Sequence, residues 1–169
     1  ERVFILSVRK DVDTGEFQFP EKQILDVKLK DILLDEFEDK YIIKNDRADK
    51  LLKVVFQNQV CEERSDEGLR FFKDNVCGTI RTIDSGGDKR IIGKNNQAKY
   101  FIRKLTPLEC WRLMGFDDDD YWKARTRLEK VFYKGKDRSN SQMYKQAGNS
   151  IVVNVIEQIY QEMCKARLL

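Results

Sequence analysis

A chain of 169 residues, 41% hydrophobic and 36% charged, with two prolines and no long low-complexity segment, can bury a core of ordinary size, which argues against disorder. No apolar run approaches the roughly 18 residues that span a bilayer and no secretory signal opens the chain, so a soluble, intracellular protein is expected. The formal net charge of +3 hides an asymmetry: residues 1–68 hold 12 Lys/Arg against 17 Asp/Glu, residues 69–104 hold 9 against 3, and residues 105–169 hold 11 against 9. A basic middle segment suits a phosphate backbone, or is simply a solvated face.

Histidine is absent, which excludes Ser-His and Cys-His nucleophile pairs. Cys61, Cys77, Cys110 and Cys164 form no Cys-x-x-Cys pair, so no zinc or other metal site is expected and the thiols read as free in a reducing compartment.

The chain begins at Glu1 and enters Arg2-Val3-Phe4-Ile5-Leu6-Ser7-Val8 directly, a pattern that reads as a buried strand. Such a strand needs cover from elsewhere, so something preceding it is expected to have been removed. Residues 11–15 predict a turn, and Phe17-Gln18-Phe19-Pro20 an extended piece ended by proline. Leu29, Ile32, Leu33 and Phe37 predict a short helix, Tyr41-Ile42-Ile43 a short strand, and Ala48 to Phe56 either helix or strand. Glu62 to Gly68 reads as a polar loop.

From Leu69 the texture changes. Val76 to Ile83 alternates in part, Asp84-Ser85-Gly86-Gly87-Asp88-Lys89-Arg90 makes a charged glycine turn, and Ile91-Ile92 resumes a strand. A β-ribbon tipped by Gly86-Gly87 and Lys89-Arg90 could enter a nucleic-acid groove, while an ordinary hairpin with a basic turn explains the pattern equally well. Thr106 with Glu109 three residues later is a capping box, Pro107 sits at the first helical position and Gly115 ends a helix whose Leu108, Trp111 and Met114 face a core. Arg112 is placed to pair with Glu109 on that helix, the Asp117 to Asp120 run would repel phosphate, and residues 123–138 read as a charged helix and loop.

The last element follows Tyr144-Lys145-Gln146-Ala147-Gly148-Asn149-Ser150. Gly148 permits a turn, Asn149 or Ser150 caps, and Ile151, Val155, Ile159 and Met163 recur at spacing four, so a helix is expected to start here with its amides facing the turn. Such a helix start favours a carboxylate or phosphate, although most capping turns bind nothing.

Arg103 to Phe116 followed by Tyr144 to Ser150 resembles the last two sequence motifs of DNA (cytosine-5)-methyltransferases, in the family's order. Glu1-Arg2-Val3-Phe4-Ile5 resembles the end of the family's Gln-x-Arg-x-Arg motif and the strand after it. Thr79-Ile80-Arg81-Thr82 with the glycine turn resembles the specificity core of bacterial members.

The resemblance implies an α+β chain. It comprises a small irregular target-recognition domain with a β-ribbon and helices, plus a strand and C-terminal helix of a Rossmann-like S-adenosylmethionine domain that is mostly absent. Residues 1–9 would be the terminal strand of that catalytic domain, 10–143 the recognition domain including the 103–116 motif, and 144–169 the helix returning to the catalytic domain. Arg2 would contact the flipped cytosine, Asn149 and Ser150 would line the cofactor's methionine end, and Thr79 and Ile80 would lie near the phosphates flanking the target. Arg81, Lys89 and Arg90 would make base or phosphate contacts.

The resemblance further implies S-adenosylmethionine as methyl donor, duplex DNA and the missing N-terminal catalytic half as partners, a restriction-modification role, and a cytoplasmic, nucleoid-associated bacterial protein. The family's nucleophilic Pro-Cys and its Glu-Asn-Val motif are not in these residues, so the chain alone is expected to be inactive. The alternative is a non-catalytic or split DNA-binding subunit. Transfer RNA methylation by the related branch fits less well, because no Cys-Phe-Thr segment occurs.

Overall fold

The computed structural model describes residues 3–24, 27–44, 60–64, 68–72, 88–94, 100–134 and 139–168. They form a mixed α+β chain that divides into two compact units, one of Glu1–Ile24 with Ile151–Leu169 and one of Leu25–Ser150.

The larger unit is built around an antiparallel sheet of β1 (Val60–Arg64), β2 (Gly68–Phe71), β3 (Asp88–Lys94) and β4 (Tyr100–Lys104) in the order β2-β1-β3-β4. The polar loop expected over Glu62 to Gly68 is not found, because Glu62, Glu63 and Arg64 lie in β1 and Gly68 opens β2. Register explains the difference: β1 pairs on both sides, Glu62 standing opposite Arg70 and Lys89 and Glu63 opposite Leu69 and Asp88, pairings with distant strands that no local propensity reveals. Strands β3 and β4 pair with Ile92 opposite Ile102 and Gly93 opposite Phe101. Ile91, Ile92, Ile102 and Arg103 are all buried, so this end of the sheet is covered on both faces and departs from simple alternation.

Among the described residues this unit also holds four helices, α1 (Leu29–Ile32), α2 (Pro107–Leu113), α3 (Asp118–Phe132) and α4 (Asn140–Asn149), of which α1, α3 and α4 each pack against α2. Helix α1 is shorter than the Leu29 to Phe37 pattern predicts, since Leu33 is already extended. Tyr41 closes a short 3-10 turn, Asp39–Tyr41, instead of opening a strand; Ile42 then bridges to Arg103, and the Ile43 amide donates to the Ile102 carbonyl. Helix α2 has the predicted capping box, with proline in its first turn and Gly115 at φ +85° just past its end. Leu108, Trp111 and Met114 are buried as the spacing predicts.

The Arg112 pairing is corrected. Glu109 is fully buried against Arg103, and Arg112 instead reaches Asp118. Helix α2 therefore places its i and i+3 charges on two different partners, each supplied from outside the helix.

In the smaller unit the predicted turn forms at Gly15, φ +70°, where Asp13 accepts from the Gly15 amide at 2.9 Å. Phe17 and Phe19 meet edge to face at 5.1 Å. Thr14 donates to the Ala166 carbonyl at 2.9 Å and Gln23 to Gln158 at 2.9 Å, which fasten the 13–24 segment to α5 (Val153–Lys165). A cavity of about 320 Å³ is lined by Leu6, Val8, Phe17 and Phe19 with Asp13 and Gly15. No strand is assigned over residues 3–8 among the described residues, and Val3 and Ile5, for which the sequence expects cover from elsewhere, are 84% and 86% exposed. The Ala48 to Phe56, Val76 to Ile83 and Gly86-Gly87 readings fall outside the described residues.

Glu109→Ala should lower stability by about 3–5 kcal/mol, the cost of leaving one partner of a buried ion pair alone, as read by urea unfolding. A methyl group on Gly93 would come within 2.3 Å of the Phe101 ring, which itself leans on Phe37 at 5.7 Å. Gly93→Ala should therefore cost about 1–3 kcal/mol in the same measurement.

Candidate cofactor and nucleic-acid interface

The 144–150 segment takes its position from helix α2. Trp111 Nε1 donates to the Met143 carbonyl at 3.0 Å, and Tyr144 donates to the Leu105 carbonyl at 2.5 Å. Met143 and Ala147, one turn apart, are fully buried, so α4 lies with its apolar edge inward. Burial pushes the Tyr144 phenol well above its ordinary range, so it remains a donor throughout the physiological range. Tyr41, also raised by burial, accepts from the Asn140 amide at 3.1 Å and ties the start of α4 to the 3-10 turn.

This arrangement corrects the reading of the segment as a capping turn. Residues 144–149 are helical, Gly148 included, and Ser150 is the C-cap of α4, its amide donating to the Gln146 and Ala147 carbonyls. The Ser150 hydroxyl donates to the Ala147 carbonyl at 2.8 Å. Helix α5 begins only after Val152, which gives it no side-chain cap. The helix is continuous through Gly148 because tertiary anchors at Met143 and Ala147 outweigh the roughly 1 kcal/mol that glycine costs in a helix.

The residues would meet the methionine end of S-adenosylmethionine in different ways. Asn149 is exposed at the last helical position, where its amide offers both donors and an acceptor. Ser150 donates its hydroxyl proton to the Ala147 carbonyl. An amide beside a hydroxyl is the kind of polar pair that a zwitterionic amino-acid moiety would take.

The nucleic-acid residues are distributed less simply. Arg2, Thr79, Ile80 and Arg81 lie outside the described residues. Lys89 and Arg90 do not tip a ribbon: both are buried in β3, which pairs on either side, and Lys89 Nζ lies 5.1 Å from the centre of the Phe72 ring. The glycine turn reads as continuing to Arg90, but the β1 register draws Asp88, Lys89 and Arg90 into the strand.

Residues that the sequence presents only as parts of a motif prove to be the frame. Glu109 Oε1 accepts from Arg103 Nη2 at 2.6 Å and the Leu34 amide at 2.9 Å, and Oε2 accepts from Arg103 Nη1 at 2.8 Å and the Thr106 amide at 2.7 Å. Arg112 grips Asp118 with two bonds of 2.7 Å and donates to the Ile32 carbonyl at 3.1 Å. The hydrogen bonds from Arg112 hold the Asp118 carboxyl below its ordinary range. The Thr106-to-Glu109 capping box was the available signal for the first; nothing local pointed to the second.

Comparison with known proteins adds independent information. A sequence model of the C-5 cytosine-specific DNA methylases matches residues 1–165. The chain is 32% identical over 168 residues to the type II methyltransferase M2.ScrFI of Lactococcus lactis subsp. cremoris, covering 99% of this chain and 41% of that protein. It is 30% identical over 175 residues to the type II methyltransferase M.HhaI of Haemophilus parahaemolyticus, covering 94% and 46%. Over 104 residues it is 49% identical to the orphan methyltransferase M.SPBetaI of Bacillus phage SPbeta, covering 60% and 20%. The chain thus spans less than half the length of each of these relatives.

A pH test follows from Asp118. Its folded pKa is depressed, so its contribution is present above the unfolded carboxylate value, about 3.9, and is lost as pH falls through the folded value. Because the pair is partly exposed, Asp118→Asn should cost only about 0.5–1 kcal/mol at pH 7. That difference should shrink as the unfolding measurement is moved to pH 3 and below.

Proposed function

Because this chain belongs to the C-5 cytosine-specific DNA methylase family, we propose that it is the C-terminal, DNA-recognising part of a bacterial DNA (cytosine-5)-methyltransferase, acting in restriction-modification. The observation that carries the reading is the Arg103 to Phe116 motif seated against the Tyr144 to Ser150 motif by the Trp111 and Tyr144 hydrogen bonds. Matches that cover nearly all of this chain but under half of its type II relatives support its being part of a longer enzyme. The larger unit would contain target recognition. Residues 1–9 and the C-terminal helix would belong to the catalytic domain, which the grouping of 1–24 with 151–169 supports.

In the reaction so assigned, cytosine is turned out of the duplex and a cysteine thiolate adds to C6, after which C5 takes the methyl group, and loss of the C5 proton expels the thiolate from C6 and restores the ring double bond. S-adenosylmethionine supplies the methyl group when bound. This chain's residues position the participants. The Arg2 guanidinium would hydrogen-bond the cytosine O2 and stabilise negative charge developing in the ring. Asn149 and Ser150 would hold the amino-acid end of the donor. Thr79, Ile80 and Arg81 would lie along the phosphates flanking the target; Lys89 and Arg90 are buried in β3, which does not suit direct phosphate contact.

The nucleophile would come from outside these residues, since Cys61, Cys77, Cys110 and Cys164 follow Val60, Val76, Glu109 and Met163, and none follows proline. The same absence favours, as a second reading, a DNA-binding subunit without chemistry of its own.

Labelled-methyl transfer to duplex DNA by the full-length protein decides between them. Expected are turnover by the parent, retention of it within about twofold in Cys61→Ser, Cys77→Ser and Cys164→Ser, and a loss in Arg2→Ala of roughly 10²–10³ in kcat, the usual cost of one donor to developing charge. Loss of turnover in any of the three cysteine variants would overturn the assignment of the nucleophile. Duplex binding with no transfer by the parent would favour the second reading.

A further inference from the structure

Helix α3 has a property that its place between the two motifs does not explain. Its outward positions Lys123, Arg127 and Lys130 stand at i, i+4 and i+7 and therefore share one face, and Lys134 follows just beyond the helix end; all four are exposed. Residues 121–134 contain one carboxylate, Glu129, and it is turned to the body of the protein. It accepts from Arg125 Nε at 2.9 Å and from the hydroxyl of fully buried Ser139 at 2.7 Å. The other acidic residues of α3, Asp118, Asp119 and Asp120, lie in its first turn, where Asp118 is engaged by Arg112. Asp120 approaches Lys123 only at 4.0 Å, and among the described residues no carboxylate pairs with Arg127, Lys130 or Lys134.

A helix face kept soluble by charge alone ordinarily interleaves both signs along its length, because like charges at i, i+4 repel. From Lys123 onward one sign runs for two turns, and the one carboxylate within that stretch, Glu129, is used elsewhere. The face is also held rigidly. Tyr121 is buried edge-on against Trp111 at 5.7 Å, and Arg125 donates to the Tyr121 hydroxyl at 2.8 Å. The cations therefore stand at fixed spacing, with Lys123 to Lys130 spanning about 10 Å at 1.5 Å per residue. Duplex DNA presents one charge per about 1.7 Å of axis, so several phosphates fall within reach of such a row.

We propose that Lys123, Arg127, Lys130 and Lys134 form a phosphate-docking face for duplex DNA that contributes affinity without reading bases. The proposal rests on the reading above that the protein acts on duplex DNA. Contacts to phosphate position a protein and carry no sequence information, so this face would strengthen binding to every duplex alike.

The test is the salt dependence of binding of fluorescein-labelled duplexes of two unrelated sequences to the full-length protein, read by anisotropy. The triple variant Arg127→Gln, Lys130→Gln, Lys134→Gln is compared with a charge-matched triple at exposed Lys22, Lys28 and Lys30, each to Gln. All six positions are exposed, and unchanged thermal melting of both variants confirms that they fold. The expected result is a slope of log K against log salt smaller by roughly 2 to 3 in the α3 variant, at about 0.9 per phosphate contact, with Kd weakened by the same factor on both duplexes. The Lys22/Lys28/Lys30 variant should keep the parental slope. Equal slopes in parent and α3 variant, or equal losses in the two variants, would overturn the docking face while leaving the methyltransferase reading intact. Absence of duplex binding by the parent would overturn that reading and the face with it.

Discussion

The larger unit depends on one buried ion pair. Arg103 on β4 and Glu109 on α2 meet through two hydrogen bonds, and the carboxylate accepts two further bonds from the Leu34 and Thr106 amides. Removing two charges from water is costly, and such a pair is tolerated only where its remaining hydrogen-bonding capacity is met. Here four donors converge on one carboxylate, and the guanidinium also donates to the Lys104 carbonyl and lies 4.3 Å over the Phe37 ring. The arrangement joins sheet, helix and the segment following α1 at a single point, so none can shift without leaving a charge uncompensated.

The remaining framework builds outward from that point. Fixing α2 fixes Trp111, whose indole holds Met143, and Leu105, whose carbonyl holds Tyr144. Those two bonds set where α4 ends and thus where Asn149 and Ser150 stand. Arg112 and Asp118 then set the departure of α3, and with it the basic face on the far side of that helix. A structural ion pair and the candidate functional positions are in this way links of one chain of contacts, which is why the two motif segments belong together physically as well as in sequence order.

Much of this was legible in the residues. The α2 cap, its proline and its terminal glycine agreed with one another, and they formed as read because each acts within four residues of the chain. The Gly15 turn and the Ile91-Ile92 strand were local for the same reason. What misled was every feature whose partner lay far away. Glu62 and Glu63 read as loop because acidic residues disfavour strands, until pairing with β2 and β3 drew both into β1, with Glu62 opposite Lys89. Gly148 read as a turn because glycine weakens helices, until burial of Met143 and Ala147 outweighed that cost.

The sequence by itself determined the family, the order of its motifs and the local geometry of α2, since all three depend on residue identity and short spacing. Only the tertiary structure decided that Glu109 pairs with Arg103 and Arg112 with Asp118, that Lys89 and Arg90 are buried in β3, and that Glu129 turns inward to leave α3 basic on its outer face from Lys123 onward. A charge has several possible partners within the length of a side chain, and which one it meets is set by how elements distant in sequence are packed together.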